Sequence, residues 1–376
     1  MKAYKYKLKV SKTFEANCTQ VLNVCRELYN ASIQERRDAY AINGVSLNYQ
    51  TQSAQLPEIK SFREDAKGIY SQVLQDILKR SDKAFQAFFR RCKQGETPGF
   101  PRFKSKDRFD SFTYPGTGFS LQGDKLFLSK IGSCRVRLSR EIVGKIKTCT
   151  IKRECDGWYV IFTAESIASK ALPKTGEKVG VDVGLEAFAT LSTGERIANP
   201  RFFKTSEPKL AEAQRKLSTK KRGSKKRQVA KKVVSKAHRK IKNQRLDFAH
   251  KLANNLLARF DEIHIEALNV KGMARGWFSK SIHDVAWNTF FEITTYKAVD
   301  AGKSVVKKVS AYTSQDCSDC GARMKLTIHD REFVCLNCAN KKHRDHNAAI
   351  NILNGRASRR EQTFSESPTK TPALSV

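Results

Sequence analysis

Asp182 interrupts a stretch of apolar and small residues, residues 179–191. This stretch ends on Ser192, Thr193 and Gly194, so it predicts a strand that enters a tight turn. Asp182 therefore falls in the middle of a core strand. A carboxylate at such a position costs free energy unless hydrogen-bond donors or a cation contact it. On this stretch alone, a hydrogen-bonded structural aspartate and a metal ligand are equally supported interpretations.

The charge of the chain indicates its class of partner. Its 376 residues include 71 Lys and Arg against 37 Asp and Glu, a formal net charge of +34. Such a charge destabilises a compact chain unless a polyanion neutralises part of it, so we expect nucleic acid as the partner. We find no apolar run near the roughly eighteen residues of a membrane span and no secretory signal at the amino end. We therefore expect a soluble cytoplasmic protein with no membrane contact.

The amino-terminal half predicts a β-domain with a helical insertion. Residues 4–10 alternate apolar side chains with Lys, as in a half-buried strand, and two amphipathic helices follow from about Phe14 to Gly95. Short β runs come next, and the clearest is a hairpin joined through Asp156 and Gly157. Together these patterns predict a small barrel that carries the helical segment, with a binding role. The predicted runs are residues 100–104, 125–128, 135–138, 149–154 and 158–162.

Two basic regions are candidates for contact with phosphate. The polar face of the second helix carries Lys79 and Arg80, although a solvated basic face is the commoner meaning of such a pattern. Residues 215–245 contain no acidic residue, and such a run attracts phosphate by counterion release. A solvated helix face and a nuclear localisation patch are the alternatives there, and we favour nucleic-acid contact. The candidates in this run are Lys220, Lys221, Arg222, Lys225, Lys226, Arg227, Lys231, Lys232 and Arg239.

The carboxyl-terminal half predicts an open mixed sheet. Residues 196–198 offer an antiparallel partner for the Asp182 strand, and an apolar stripe continues the basic helix to Phe260. A strand over 262–270, a helix over 284–301 and a strand over 304–309 then form a β-α-β pattern. Sites in open sheets lie at the carboxyl ends of strands. Glu266 is therefore placed to join Asp182 if their two strands are neighbours.

Two CxxC pairs carry the most specific chemical signal in the chain. Fourteen residues separate the pairs, and four thiolates at these spacings can form a tetrahedron around Zn²⁺. The alternative, two redox or structural pairs, is disfavoured by the matched spacing and the intracellular setting. Four sulfurs fill the coordination shell, so we predict one structural zinc and no ligand role for His343 or His346. The ligands are Cys317, Cys320, Cys335 and Cys338.

A third acid follows the cysteine pairs. Residues 345–353 have helical spacing, and Asp345 falls at the predicted helix start. On local grounds Asp345 is an N-cap residue. A carboxylate delivered at a helix N-terminus equally suits a cluster of acids.

Four segments of the chain, in this order, resemble the nuclease core of the TnpB family, the transposon-encoded RNA-guided relatives of compact type V CRISPR nucleases. They are Gly180-Val181-Asp182-Val183-Gly184, Ile265-Glu266-Ala267-Leu268-Asn269-Val270-Lys271-Gly272-Met273, Tyr312-Thr313-Ser314-Gln315 and Arg344-Asp345-His346-Asn347-Ala348-Ala349. The resemblance spans roughly residues 175–355 and is looser over the amino-terminal half. Ala339 and Ala267 stand where the family often has Gly and Asp, and neither difference removes a predicted ligand.

The resemblance implies an RNA-guided DNA endonuclease with an RNase H-like, RuvC-type sheet. Asp182, Glu266 and Asp345 would hold divalent metal, two Mg²⁺ ions or Mn²⁺ in their place. Guide RNA and target DNA would be the partners, in a prokaryotic cytoplasm. Tyr49 and Gln75 lie in the region that the resemblance assigns to reading a short duplex motif beside the target. A binding-only regulator and a transposition accessory protein are the alternatives, and a monomer and a homodimer on one RNA both stay open.

These interpretations define a multidomain protein of mixed α+β and α/β class. We expect a wedge-like β-barrel domain over residues 1–12 and 99–172, a helical recognition segment over 13–98, a RuvC-like nuclease domain over 173–312 and 341–355, an inserted zinc module over 313–340, and a disordered or guide-contacting tail over 356–376.

Overall fold

The computed structural model describes residues 1–165, 171–268, 284–308, 312–327 and 330–355. The predicted tail, Val309 and residues 269–273 of the second family segment lie outside these ranges. The chain divides into two compact units, Met1–Ala168 and Ser169–Val376. Across the described ranges, no helix is both long enough and apolar enough to cross a membrane.

Seven antiparallel strands form the sheet of the first unit. β1 from the amino end pairs with β7 on one side and β5 on the other, so it lies at the centre of the sheet. Its alternation is as predicted, because Tyr4, Tyr6 and Leu8 are buried. In space the order is β2-β6-β7-β1-β5-β4-β3. The strands are β1 (Lys2–Lys9), β2 (Ser111–Pro115), β3 (Phe119–Gln122), β4 (Lys125–Leu128), β5 (Gly132–Arg137), β6 (Ile146–Glu154) and β7 (Gly157–Ala164).

This sheet is open, so the predicted closed barrel is not confirmed. β2 and β3 are its two edges, and no pairing among the described residues joins them. Alternation along a strand shows that one face is buried, but it does not show which strands pair. The predicted strand at residues 100–104 is wrong, since that segment is irregular and Phe100 packs edge-on against Phe85 and Phe88. The predicted β6–β7 hairpin is confirmed, with Cys155 and Asp156 as its turn because Glu154 lies opposite Gly157.

Two long helices pack together in the same unit. The first begins at Ser11, whose Oγ accepts from the Phe14 N–H, and ends at Gly44 in the left-handed region. The two predicted helices are confirmed, and apolar stripes on both are buried, including Val21 and Cys25 on the first and Val73 and Ile77 on the last. The helices are α1 (Lys12–Asn43), α2 (Tyr49–Ala54), α3 (Leu56–Phe62), α4 (Glu64–Lys67) and α5 (Ser71–Lys93).

The second unit is built on a five-stranded mixed sheet of order β10-β9-β8-β11-β12. β8 pairs antiparallel with β9 and parallel with β11, and β11 pairs parallel with β12. This arrangement confirms the predicted β-α-β pattern. The stretch at residues 179–191, predicted as one strand, forms the two antiparallel strands β8 and β9, and residues 196–198 pair with β9, not with the strand that carries Asp182. The strands are β8 (Lys178–Val183), β9 (Ala187–Leu191), β10 (Arg196–Ala198), β11 (Glu262–Glu266) and β12 (Ser304–Lys308).

Several long helices accompany this sheet in the part of the chain that the structure describes. They are α6 (Phe202–Ser218), α7 (Lys225–Arg259), α8 (Trp287–Ala301) and α9 (Arg344–Asn354). The apolar stripe of α7, with Ala249, Leu252 and Leu256, is buried in one core with Trp287 and Phe290 of α8. The basic run lies largely on a hairpin of α6 and α7, which pack on each other. The run folds in this way because the backbone carbonyls that end α6 accept from Arg227.

Candidate functional site

Asp182 and Glu266 lie on adjacent parallel strands. Ile265 of β11 is opposite Val181 of β8, and the two acids each follow by one residue. They are therefore at the same level of the sheet, near the carboxyl ends of both strands. Asp182 is partly buried. Burial raises the pKa of Asp182 well above its ordinary value, and the nearby Glu266 and Asp345 carboxylates raise it further.

Asp345 reaches this edge of the sheet from the first turn of α9. The N-cap residue of α9 is His343, whose Nδ1 accepts from the Asp345 N–H at 3.2 Å. The N-cap interpretation of Asp345 is therefore wrong. Its carboxylate lies close enough to Asp182 to act on the pKa of that residue.

Gly180 allows α9 to lie directly on β8. A Cβ at Gly180 would overlap with the carbonyl oxygen of Ala349 and lie 2.8 Å from the Leu353 nitrogen. No larger residue fits there without moving the helix. His346 holds the same helix from the other side, because its Nε2 is 3.1 Å from the Ser192 carbonyl oxygen. Together these contacts position the start of α9, and with it Asp345, beside Asp182.

The charges around Asp182 favour a cation. Arg344 is the one neighbouring group that lowers the pKa of Asp182 through its charge, and its Nη1 is already bonded to the Thr327 carbonyl oxygen at 2.9 Å. Like charges at a partly buried site resist ionisation, and a divalent ion removes that resistance. Hard oxygen ligands of this kind suit Mg²⁺ or Mn²⁺.

The four cysteines form a second candidate metal centre. Their sulfur atoms all lie within 4.8 Å of one another, with Cys317 and Cys338 3.6 Å apart and Cys320 and Cys335 3.5 Å apart. A disulfide would need about 2.05 Å, whereas tetrahedral zinc with bonds of about 2.3 Å puts its sulfurs about 3.8 Å apart. The sulfurs therefore fit one zinc. Among the described residues the three carboxylates do not meet as tightly as these sulfurs.

A small hairpin and a small core support this cluster. β13 (Glu332–Val334) pairs antiparallel with β14 (Lys341–His343), and the second CxxC pair lies in the turn between them. Phe333 is fully buried against Cys317 and Cys335. Two of the sulfurs are thus protected, while Cys320 and Cys338 are exposed.

The two exposed thiols of the cluster have pKa values shifted in opposite directions. A hydrogen bond from Asn337 contributes most to lowering the pKa of Cys320 to about 6. The Asn340 backbone N–H lowers the pKa of Cys338, but Cys320, burial and the other two sulfurs outweigh it and raise that pKa to about 12. Four thiolates this close need a cation to be ionised together.

The predicted basic residues of the hairpin differ in what they contact. Arg227 donates to the carbonyl oxygens of Leu217 and Lys220 at 3.0 and 2.7 Å, so its guanidinium is used to end α6. Arg239 is partly exposed. The other candidates are exposed in the turn and along α7, namely Lys220, Lys221, Arg222, Lys225, Lys226, Lys231 and Lys232.

The candidates in the first unit divide in the same way. Arg80 donates to Asp76 Oδ2, the Ser111 carbonyl oxygen and Thr113 Oγ1, which ties α5 to β2. Lys79 is exposed, with its Nζ 5.3 Å from the centre of the Tyr49 ring, and Gln75 is partly exposed on the same helix. Polar groups are thus presented to solvent by Lys79, Tyr49 and Gln75. Arg80 mainly joins α5 to β2.

Comparison with known proteins decides the family. Residues 160–276 match a family described as "Probable transposase", and residues 287–352 match the "Cas12f1-like, TNB domain" family. An Escherichia coli K12 protein named "Putative RNA-guided DNA endonuclease InsQ" is 30% identical over 373 residues, covering 94% of this chain and 92% of its own. A Streptomyces pristinaespiralis protein of the same description is 32% identical over 362 residues, covering 94% and 88%. The chain belongs to the TnpB family of RNA-guided DNA endonucleases.

Solved structures agree with this TnpB assignment at the level of the fold. The protein in the structure titled "Cryo-EM structure of the Cas12f1-sgRNA-target DNA complex" aligns with a TM-score of 0.59 at 16% identity, over 90% of this chain and 83% of that one. The resemblance predicted from four short segments is confirmed, and so is the mixed α/β class.

Several residues that position α9 beside the candidate site were not predicted from the sequence. His343 is the N-cap of α9, and the His346 ring contacts the Ser192 carbonyl oxygen; the sequence indicated neither role. Asn347 and Asn351 are fully buried on the same helix. Amide side chains on the apolar face of a short helix are the signal that could have indicated them.

Proposed function

We propose that this TnpB-family protein is an RNA-guided DNA endonuclease that hydrolyses phosphodiester bonds with divalent metal. The carrying observation is that Asp182 and Glu266 lie at the same level of adjacent parallel strands, and that the helix that begins with Arg344 and Asp345 packs on both strands. The names of the two full-length relatives support the substrate. The matched Cas12f1 structure holds guide RNA and target DNA, and we propose both as partners of this chain.

The second unit is proposed to be RNase H-like and RuvC-type. Its sheet has three antiparallel strands, β10-β9-β8, followed by parallel β11 and β12. The candidate acids lie on the central strand, its parallel neighbour and a helix that packs on both. We propose residues 173–312 and 341–355 as the nuclease domain, with the cysteine cluster as its zinc module. Residues 1–12 and 99–172 would form the wedge-like domain around a recognition segment, 13–98.

Asp182, Glu266 and Asp345 are proposed to hold two Mg²⁺ ions, with Mn²⁺ as a substitute. When bound, the ions would stabilise charge on the phosphoryl oxygens and activate the attacking water. Cys317, Cys320, Cys335 and Cys338 would hold one Zn²⁺ that is structural, since no coordination position stays open.

The chain's own groups would prepare the site in three ways. The sheet register fixes the levels of Asp182 and Glu266, while contacts at Gly180 and Ser192 fix α9. Arg344 offsets part of the negative charge before metal binds. Three acids then give a strongly basic protein one local site that attracts cations.

Exposed lysines of the α6–α7 hairpin are proposed to contact phosphates of RNA or of the RNA–DNA heteroduplex. Such contacts read no sequence, which is left to base pairing. In the first unit, Tyr49, Gln75 and Lys79 are proposed to contact the duplex motif beside the target, because a glutamine amide can pair with an adenine edge.

The test is cleavage by the purified protein with its copurifying RNA. That RNA is sequenced, and duplexes complementary to its guide segment, with randomised flanks, are offered with Mg²⁺. We expect cutting by the unchanged chain and none by Asp182→Ala, Glu266→Ala or Asp345→Ala, each of which should still bind guide and target. Glu262→Gln, at the other end of the Glu266 strand, is the matched control and should cut normally. Undiminished cutting by any of the three alanine variants removes that residue from the site.

A further inference from the structure

Helix α9 carries two asparagines that are wholly buried, Asn347 and Asn351. They are four residues apart and so lie on the same face of the helix. A buried amide is costly unless its donors and acceptor are hydrogen-bonded. Their partners therefore show what this face of α9 is built to hold.

Asn347 hydrogen-bonds to the backbone on both sides of the first cysteine ligand, and Asn351 hydrogen-bonds to the backbone that precedes it. The Asn347 Nδ2 donates to the Asp316 carbonyl oxygen at 2.8 Å, and its Oδ1 accepts from the Ser318 N–H at 2.9 Å. The Asn351 Nδ2 donates to the carbonyl oxygens of Asp316 and Thr313 at 2.7 and 2.8 Å. Cys317 lies between these anchor points and is itself fully buried.

The same helix is fixed to the sheet that carries Asp182. Asn347 follows Asp345 by two residues, and Ala349 lies in direct contact with Gly180 of β8. A displacement of the cysteine cluster would therefore move the first turn of α9, and Asp345 with it. Ion sites require ligands to be held within a fraction of an ångström.

We propose that Asn347 and Asn351 are positioning residues that couple the loaded cysteine cluster to the divalent-metal site through α9. This inference rests on the proposed function of the three carboxylates. The amides touch neither substrate nor the ions, and they act by fixing where Asp345 lies. Groups that hydrogen-bond directly to a metal ligand typically change the metal's affinity about 10- to 100-fold when they are lost, and these amides act through the helix, so we expect the lower end of that range.

The test measures Mn²⁺ binding, with activity as a second readout. The full chain with its copurifying RNA is titrated with Mn²⁺, and free Mn²⁺ is followed by electron paramagnetic resonance. The same titration of Asp182→Ala gives the background from RNA, and the difference reports the carboxylate site. Zinc content and thermal unfolding are measured for every variant.

We expect Asn347→Ala to keep about one zinc and to bind Mn²⁺ at the carboxylate site about tenfold more weakly. Asn351→Ser is the second variant, in case Asn347→Ala does not fold, because it removes less of the side chain. It should also weaken Mn²⁺ binding. Asn354→Ala is the matched control, because it is an exposed asparagine on the same helix. In cleavage assays, high Mg²⁺ should restore the amide variants.

Two results would overturn the coupling. If an amide variant that is folded and zinc-loaded binds Mn²⁺ as tightly as the unchanged chain, the asparagines are structural only, and the proposed function stands. If the unchanged chain binds no more Mn²⁺ than Asp182→Ala, the divalent site itself is absent, and the proposed function fails together with the coupling.

Discussion

The cysteine cluster and the carboxylate site both bring like charges together where a cation could bind. The cysteines are close together in the sequence, whereas the three acids are far apart. All four sulfurs come from residues 317–338 and meet within 4.8 Å without help from the large sheet. The three acids come from residues 182–345, and their meeting depends on strand register and on the seating of α9. One centre is specified locally, and the other only by the tertiary fold.

This difference explains why the two centres should fail differently. Loss of a cysteine ligand removes a cross-link between neighbouring segments of the chain. The carboxylate site, in contrast, is sensitive to any shift of β8, β11 or α9. Helix α9 belongs to both, because it packs on β8 and is hydrogen-bonded to the backbone beside Cys317. Substitutions aimed at one centre therefore test whether the two centres can be disrupted independently.

The largest effect is expected from Gly180→Ala. The added methyl would overlap with the Ala349 carbonyl oxygen, so α9 must move away from β8. A displacement of about 1 Å at a reacting centre can cost about 100-fold in rate, and the strain should cost about 1–3 kcal/mol of stability. Cleavage rate and thermal unfolding measure both. Zinc content should change less than the cleavage rate, because an added methyl at Gly180 would meet α9 and no cysteine.

The control for this substitution is Gly99→Ala, where nothing lies within 4 Å of an added Cβ. Cleavage by Gly180→Ala at the unchanged rate would show that the seating of α9 does not control the carboxylate site.

An intermediate effect is expected from Cys335→Ser. A hydroxyl is a poor zinc ligand, so zinc content should fall well below the one ion per chain expected of the unchanged protein. The first unit should unfold as before, since the cluster lies wholly within the second. Elemental analysis and thermal unfolding are the measurements. Cys92→Ser, at an exposed free cysteine outside the cluster, should retain the metal. A zinc-free but fully folded unchanged protein would reject the zinc assignment.

The smallest effect is expected from Lys225→Ala and Lys226→Ala on α7. Each removes at most about one phosphate contact, so the salt dependence of RNA binding should become shallower by about one counterion per lysine. Filter binding across salt concentrations measures the slope. Lys251→Ala on the same helix is the control, because Lys251 is paired with Asp247 at 2.8 Å. An unchanged slope would show that RNA does not bind at the hairpin. Metal binding at both centres should be unaffected by these lysine substitutions.

Features set by neighbouring residues were predictable from the sequence. The β6–β7 hairpin, the amphipathic faces of α1 and α5, and the spacing of the cysteines all depend on residues close in the chain. The β-α-β pattern of β11 and β12 also followed from periodicity, whereas the sequence left open whether β8 and β11 are neighbours.

Features set by distant partners were not predictable in this way. The prediction of a closed barrel failed because alternation shows which face of a strand is buried but not which strands pair. In the structure β2 and β3 are the two edges of an open sheet. Arg80 and Arg227 read as phosphate contacts, yet backbone carbonyls and a nearby carboxylate engage them. On local grounds alone Asp345 fitted an N-cap as well as a carboxylate cluster, and it is His343 that caps α9. In each case the deciding partner is a group that local patterns do not identify.

The most direct test of the central claim is anomalous scattering from crystals of the RNA-bound protein soaked in Mn²⁺. The account predicts anomalous density within about 2.5 Å of carboxylate oxygens from Asp182, Glu266 and Asp345 together. A separate zinc peak should lie about 2.3 Å from the four cysteine sulfurs. Manganese bound elsewhere, or contacted by no more than one of the three acids, would contradict the account.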